Sequence, residues 1–335
     1  MRERLTTYYA PDTGACNGKT YDVQQMHLKE WVTNIVPEPK SMPQTAEQEG
    51  KELVKRWESC FPKENTWVQR ELGVPSLIVR LDATLEGEHL RAYEVEERPA
   101  GIGVSYTTNP AFKERLQDVA RTWPKFDVVI SERRNGHDDQ LWTPLKSREE
   151  AVKGTELVLV RAEPEEEEFH CLEDRSVSSL KQKGDKSYGE KLGLWRKVQT
   201  PEDLPAPCEP FVLKPLQGSK TRDVFMYLPN SMAKSQYSIP ELKMTAPGAY
   251  TRSRVERELI RHTQGSGGMY CQPFYPPVES GLDGDMGKNY RWMIYRVYYG
   301  LNTQTREWNY LGGQWNARNN LKIHGAGDAV IGPVV

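Results

Sequence analysis

The stretch "SLIVRLDATLEGEHLRAYEVEE", residues 76–97, alternates apolar and polar side chains on both sides of Gly87, a pattern that predicts a β-hairpin. With a three-residue loop from Glu86 to Glu88, Arg80 lies opposite Glu94 and Asp82 lies opposite Ala92. Side-chain alternation then places four charged residues on one face of the hairpin: Arg80, Asp82, Glu94 and Glu96. The other face is apolar: Val79, Leu81, Tyr93 and Val95.

The charged face raises the question of what neutralises three carboxylates on neighbouring strands. At about 4 Å and an effective dielectric constant near 20, each pair repels by roughly 4 kcal/mol. Arg80 offsets one charge, and the surplus suits Mg²⁺, which takes hard oxygen ligands and fills its other positions with water and phosphate oxygens. The alternative is an exposed hairpin whose acids are solvated. Gly101 and Gly103 favour the ligand site, because glycine lets the backbone approach a ligand closely.

Composition and charge exclude several classes of function. The chain has 335 residues, enough for two domains, and its 45 Lys and Arg against 47 Asp and Glu give a net charge of −2. We therefore expect no nucleic-acid partner. No apolar run reaches the roughly 20 residues that cross a bilayer, so we expect a soluble, cytoplasmic protein without a membrane partner. The five cysteines form no C-x-x-C pair and are predicted to be reduced thiols. A homodimer is left open.

The order of elements predicts an α/β protein. Helical patterns at 45–62 and after Asn109-Pro110 alternate with strand patterns such as 126–130 and the apolar run "ELVLVRAE". The acidic run "EPEEEEF", residues 163–169, is predicted to separate two halves. We expect an N-terminal domain, 1–165, that carries the acidic hairpin, and a C-terminal unit, 170–335.

Several sequence motifs of known chemistry are missing. "GIGVSY" and "GSGGMY" lack the third glycine of the dinucleotide-binding fingerprint, and the chain has no P-loop, H-E-x-x-H or G-x-S-x-G motif. The aspartates in "GLDGDMGKN", 281–289, lack the turn glycine and the final ligand of a calcium loop. No serine, cysteine or histidine triad is indicated.

A nucleotide-binding site is predicted in the C-terminal half of the chain. "FVLKPLQGSKTRDV" ends an apolar strand at Lys214 and continues into a loop with Gly218, Lys220 and Arg222. Such a lysine can contact α- and β-phosphates while loop amides cover the γ-phosphate. In "YCQPFYPP", Gln272 offers hydrogen bonds to an adenine and Phe274 offers packing surface.

This order of elements resembles the ATP-grasp fold, in which two α+β lobes close on ATP. Most ATP-grasp enzymes carry an E-x-N metal pair near the C-terminal end, and this chain has none there. In the type that includes glutathionylspermidine synthetase and eukaryotic glutathione synthetase, the metal motif precedes the ATP-binding lysine as R-x-D and E-x-N. Here it is matched by Arg80-Leu81-Asp82 and Glu94-Val95-Glu96, with Glu96 in place of the usual asparagine.

The resemblance implies roles for individual residues. Asp82, Glu94 and Glu96 would hold Mg²⁺, and Arg80 would contact the transferred γ-phosphate. In the closing segment Arg318 is the first choice, and Arg296 the second, for the arginine that reaches the reacting carboxyl and phosphate. Lys322 and His324 would contact nucleotide or substrate, and Lys186 or Lys191 would add a phosphate contact. For each cation the alternative is a strand-edge charge paired with a local carboxylate.

The function implied by the resemblance is an ATP-dependent carbon-nitrogen ligase with a pre-ATP-grasp-like N-terminal domain. ATP would phosphorylate a substrate carboxylate, an amine would displace the phosphate to form an amide, and ADP and phosphate would be released. An amino acid or short peptide is the expected acid. Two alternatives are a phosphotransferase on the same scaffold and a non-catalytic module that uses the acidic hairpin to bind a metal or a partner.

Overall fold

The computed structural model describes residues 5–9, 36, 38–60, 77–96, 105, 108–122, 126–132, 157–161, 169–171, 187–216, 224–239, 242–283, 290–323 and 329–335. These residues form a mixed α+β structure in which four sheets outweigh a few helices. None of the helices within these ranges has the length and the apolar composition that crossing a bilayer requires.

The bounds of the elements are as follows. The helices are α1 (Gln44–Cys60), α2 (Pro110–Ala120), α3 (Ser187–Lys191), α4 (Asn230–Gln236) and α5 (Arg252–Ser266). The strands are β1 (Leu5–Tyr9), β2 (Ile78–Glu86), β3 (His89–Glu96), β4 (Phe126–Glu132), β5 (Leu157–Arg161), β6 (Phe169–Cys171), β7 (Arg196–Val198), β8 (Phe211–Pro215), β9 (Phe225–Tyr227), β10 (Ser238–Ile239), β11 (Met244–Thr245), β12 (Ala249–Tyr250), β13 (Met269–Pro273), β14 (Val278–Glu279), β15 (Trp292–Asn302), β16 (Glu307–Arg318) and β17 (Val330–Val334).

The largest sheet joins the acidic hairpin to the C-terminal strands. Its order is β17-β16-β15-β2-β3, with β14 also paired to β15, and all its pairs are antiparallel. Helix α1 buries its apolar stripe on one face, where Gly50 lies against Tyr299 and Trp57 meets Trp308 edge-on at 6.4 Å. Helix α2 covers part of the other face through Phe112, whose ring lies 5.1 Å from that of Tyr298.

Helix α2 begins where the sequence predicts. The side chain of Asn109 accepts a hydrogen bond from the backbone N–H of Phe112, and Pro110 occupies the first helical position, where its missing N–H costs nothing. The amide of Asn109 also donates to the carbonyl oxygens of Gly313 and Val334, so the cap ties the helix to the sheet.

The register of the hairpin differs from the prediction. The turn has two residues, not three, and Gly87, with φ of +60°, takes the first turn position, where a type II′ turn needs positive φ. Ala83 then pairs with Ala92, but Asp82 pairs with Glu94 and Arg80 with Glu96, because an extra residue, Tyr93, bulges between them. The shorter turn and the bulge each shift the register by one residue, and together they shift it by two. Because side chains alternate with a period of two, the four charged residues still share one face.

A second sheet has the order β12-β9-β8-β13-β7, and α5 packs on it through Val255 and Leu259. Helix α5 ends at Gly267, whose φ of +78° is the left-handed conformation that suits glycine after a helix. Before this sheet the chain forms the short helix α3, which is followed by strand β7.

The predicted domain division does not match the sheets. Strands β1, β4, β5 and β6 form a separate sheet in which β1 and β4 are parallel. The acidic run at 163–169 connects β5 to β6, which are paired neighbours, so the boundary at about residue 165 falls inside this sheet. The acidic hairpin, assigned to the domain 1–165, shares a sheet with strands from the region 170–335.

Candidate functional site

The β-bulge at Tyr93 organises the candidate site. Because the bulged residue has no partner across the ladder, its carbonyl is available to groups outside the sheet. It accepts hydrogen bonds from Lys214 Nζ at 2.9 Å and from Gln272 Nε2 at 3.1 Å. Lys214 lies on β8 and Gln272 on β13, so one carbonyl of the large sheet is held by two strands of the five-stranded sheet.

A cavity lies between the two sheets beside this carbonyl. Its empty volume is about 700 Å³, counting open solvent at its mouth, and its lining is mainly apolar, including Met226, Phe274, Ile294 and Ile323. Tyr93 and Glu94 both line it, since the bulge turns two successive side chains of β3 toward the same space. Tyr93 was predicted on the opposite, apolar face; the bulge is the reason for the difference.

Lys214 is held in the wall of the cavity and is only 6% exposed. Besides the Tyr93 carbonyl, its ammonium group has two aromatic neighbours, with the ring centres of Trp195 and Tyr93 at 5.2 and 5.6 Å. Glu94 Oε2 lies 4.0 Å from Nζ. A buried ammonium group needs such compensation, because removal from water disfavours the charged form.

Gln272 and Phe274, both predicted to contact a nucleotide base, line the same cavity. Gln272 is 1% exposed, and its hydrogen bond to Tyr93 fixes which end of the amide is the donor. Its Oε1 has no hydrogen-bond partner among the described residues. The ring of Phe274 packs edge-on against Tyr237 at 5.7 Å and forms part of the apolar wall.

A row of buried charges crosses the large sheet next to the cavity. Arg80 donates from Nε to Asp82 Oδ1 at 2.7 Å and from Nη2 to Oδ2 at 3.3 Å. Its Nη2 also pairs with Glu96. On the neighbouring strand β15, Arg296 pairs in register with Asp82, and its Nε lies 3.7 Å from Asp82 Oδ1. The structure therefore brings together two predicted arginines and the predicted carboxylates.

The electrostatics of this row follow from burial. Burial alone would lower the pKa of Arg80, but the charges of Asp82 and Glu96 outweigh it and raise that pKa well above its ordinary value. Burial raises the pKa of Glu96 from 4.5 to about 7, and the positive charge of Arg80 opposes the rise only in part. Glu96 therefore titrates closer to neutral pH than an ordinary glutamate does.

The predicted magnesium site fits the structure in part. Both oxygens of Asp82 contact the guanidinium group of Arg80, so Asp82 does not fit as a metal ligand in this arrangement. In the described ranges, no group of three or more His, Cys, Asp or Glu side chains could hold a metal ion. Glu94 and Glu96 are two residues apart on β3 and keep 26% and 33% of their side chains exposed. Two carboxylates suit Mg²⁺ when phosphates and water complete its shell.

Two buried amide side chains beside the charged row, Gln314 and Asn316, were not predicted from the sequence. Gln314 lies opposite Arg296 on β16, donates to Asn316 Oδ1 at 3.2 Å, and accepts from Ser105 Oγ at 3.1 Å. Gln314 and Asn316 are almost fully buried. Polar residues at alternate positions of the strand pattern "GQWNA" were the available signal, because alternate positions share one face of a strand.

The remaining predicted residues do not form one group. Arg318, the first choice for the catalytic arginine, is four residues beyond Gln314, or about 13 Å along the strand, and donates to the backbone carbonyl of Lys322. Lys322 itself lines the cavity. Lys191 is exposed and donates to the backbone carbonyl of Cys60. Seven predicted site residues lie outside the described residues: Gly101, Gly103, Lys186, Gly218, Lys220, Arg222 and His324.

Comparison of the sequence with models of known protein families finds no match, and a search of curated proteins finds no similar sequence.

Proposed function

We propose that the protein is an ATP-grasp enzyme, a carboxylate–amine ligase that forms an amide bond through an acyl phosphate. The observation that carries this proposal is the arrangement around Tyr93. An apolar cavity lies between two sheets with the buried Lys214 in its wall, and Glu94, which also lines it, is paired across the hairpin with Asp82 of the charged row. The acid is proposed to be an amino acid or a short peptide, on the basis of the sequence resemblance.

The cavity suits the base of a nucleotide. Met226, Phe274 and Ile323 offer apolar surface to a flat ring, and ligand sites usually combine such surface with a few polar groups that fix orientation. Lys214 lies in the wall of the cavity, 4.0 Å from Glu94, which is paired with Asp82 across the hairpin. An ammonium group there would contact phosphate oxygens next to the ribose. The direction of the nucleotide follows: the base in the cavity and the terminal phosphate toward Arg80.

The charged row suits phosphoryl transfer. Arg80 and Arg296 would stabilise charge on the transferring phosphoryl group, and their positions are fixed before ligand binding by Asp82. Glu94 and Glu96 would hold Mg²⁺, which when bound neutralises charge on phosphate oxygens. The protein needs no nucleophile of its own, because the substrate carboxylate attacks the phosphate and the amine attacks the acyl phosphate.

The test is a product assay with pooled amino acids, polyamines, ATP and Mg²⁺. We expect ADP and phosphate only when both an acid and an amine are present, together with new amide masses. With an ¹⁸O-labelled acid, the released phosphate should carry one ¹⁸O, because the acyl phosphate transfers a carboxylate oxygen to phosphorus. Lys214→Met should abolish turnover, whereas Lys197→Met, at an exposed lysine on β7, should leave it unchanged.

Three results would contradict the ligase. AMP and pyrophosphate as products would exclude the acyl phosphate route, and a product that keeps the phosphate would instead indicate a phosphotransferase. ATP also stabilises a true binding site by about 2.7 kcal/mol at one hundred times its dissociation constant. Unchanged unfolding in saturating ATP and Mg²⁺ would favour a non-catalytic module.

A further inference from the structure

Glu94 lies next to Lys214, the residue that is proposed to contact the phosphates. Its carboxylate lies 4.0 Å from Lys214 Nζ, and both side chains line the cavity. Lys214 is 7% exposed and Glu94 26% exposed at their side chains, so water screens this pair less than a surface pair. Glu94 therefore provides negative charge at the place where a phosphate would contact Lys214.

The position of Glu94 follows from the bulge. In a regular β3 strand, Tyr93 and Glu94 would point to opposite faces of the sheet. The extra residue turns both toward the cleft, and the Tyr93 carbonyl holds Lys214 Nζ at 2.9 Å beside the carboxylate. The same backbone irregularity thus places the lysine and its counter-ion together.

We propose that Glu94 makes triphosphate binding depend on a divalent cation. In the absence of a cation, the carboxylate compensates Lys214 and repels phosphate oxygens from the same space. A bound cation would neutralise Glu94 and free the lysine for the phosphates. The residue is then specificity-determining, because it selects metal-bound over metal-free nucleotide. This inference rests on the proposed function, since it places a nucleotide in the cleft.

The experiment compares binding of ATP by calorimetry with and without Mg²⁺, the metal-free samples containing EDTA. The wild-type protein should bind ATP at least about tenfold more tightly with Mg²⁺, a difference of about 1.4 kcal/mol. Glu94→Gln keeps the shape but removes the charge, so it should bind metal-free ATP about tenfold more tightly than the wild type and lose most of the preference for Mg²⁺. Glu88→Gln, at the exposed turn of the same hairpin, should behave like the wild type.

A second variant tests the link to Lys214. In a Lys214→Met background, the gain of metal-free binding from Glu94→Gln should shrink to less than about threefold, because there is no lysine left to release. Melting curves of all variants check that each is folded.

The outcomes separate the two proposals. If the wild type binds Mg²⁺-ATP and Glu94→Gln gains no metal-free affinity, the role of Glu94 is wrong while the nucleotide site stands. An equal gain in the Lys214→Met background also overturns it. If the wild type and Glu94→Gln bind no ATP in either condition, both the proposed function and this inference fail.

Discussion

The loss of Arg80 should expose how strongly the charged row depends on pairing. Arg80 and Asp82 are each 1% exposed, and both Asp82 oxygens contact the Arg80 guanidinium group. Arg80→Met would remove this partner from the buried Asp82, whose Oδ1 also lies 3.7 Å from Arg296 Nε. Removing one partner of a buried pair costs about 3–5 kcal/mol, because the other charge remains without compensation. We expect the lower end of this range, since Arg296 stays beside the carboxylate.

Urea unfolding at pH 7 measures this cost. Arg91→Met is a matched control on the same hairpin, because Arg91 pairs with Glu86 at the surface with 43% of its side chain exposed, and its loss should cost less than about 1 kcal/mol. The double variant Arg80→Met/Asp82→Asn removes the stranded charge and should be more stable than Arg80→Met alone. Equal costs for Arg80→Met and Arg91→Met would refute the reasoning that the row is a buried, coupled unit.

Two further predictions concern pH and packing. The folded protein holds the Glu96 proton with a pKa of about 7 against 4.5 for the ordinary group, so the free energy of unfolding should fall as the pH rises from about 4.5 to 7. The total fall over this pH range is at most roughly 3 kcal/mol, and it is smaller than that because a third of the Glu96 side chain is exposed to water. Glu96→Gln should remove this dependence on pH. If urea unfolding shows the same dependence in the variant, other groups cause it. Gly50→Ala on α1 would place a Cβ 2.0 Å from Tyr299 Oη and should lower the melting temperature, whereas a Cβ at Gly265 on α5 has no neighbour within 4 Å and the same change there should stabilise by about 0.5–1 kcal/mol. A stable Gly50→Ala protein would mean that α1 can move away from the sheet.

The acidic hairpin shows which structural features the sequence pattern can predict and which it cannot. Alternation of side chains identified both strands and the charged face correctly, because the period of two is independent of the turn. It could not give the register, since a two-residue turn with a bulge and a three-residue turn without one place Arg80, Asp82, Glu94 and Glu96 on the same face. The sequence therefore predicted the composition of the row but not its pairs.

The site itself needed the tertiary structure. Lys214, Gln272 and Phe274 were identified from strand ends, and the structure places them in one cavity. For two other predictions, the catalytic arginine and the metal ligand Asp82, the sequence does not show which side chains are neighbours in space. The choice of Arg318 over Arg296 depended on motif order, whereas strand pairing puts Arg296 beside Asp82. Asp82 was predicted as a metal ligand from the resemblance of Arg80-Leu81-Asp82 to the R-x-D motif, and a motif does not show that Arg80 contacts both carboxylate oxygens of Asp82.

The large sheet also constrains how the protein reaches its folded state. Strand β2, near residue 80, pairs directly with β15, near residue 297, so the central ladder joins segments separated by most of the chain. Such non-local pairing is slow to form, because a long loop must close before any contact compensates for it. During synthesis the hairpin lacks its neighbour until β15 has left the ribosome, and the unpaired edge of β2 is a site for wrong pairing in that interval. A circular permutant that brings the hairpin next to β15 in the chain should shorten that interval and refold faster.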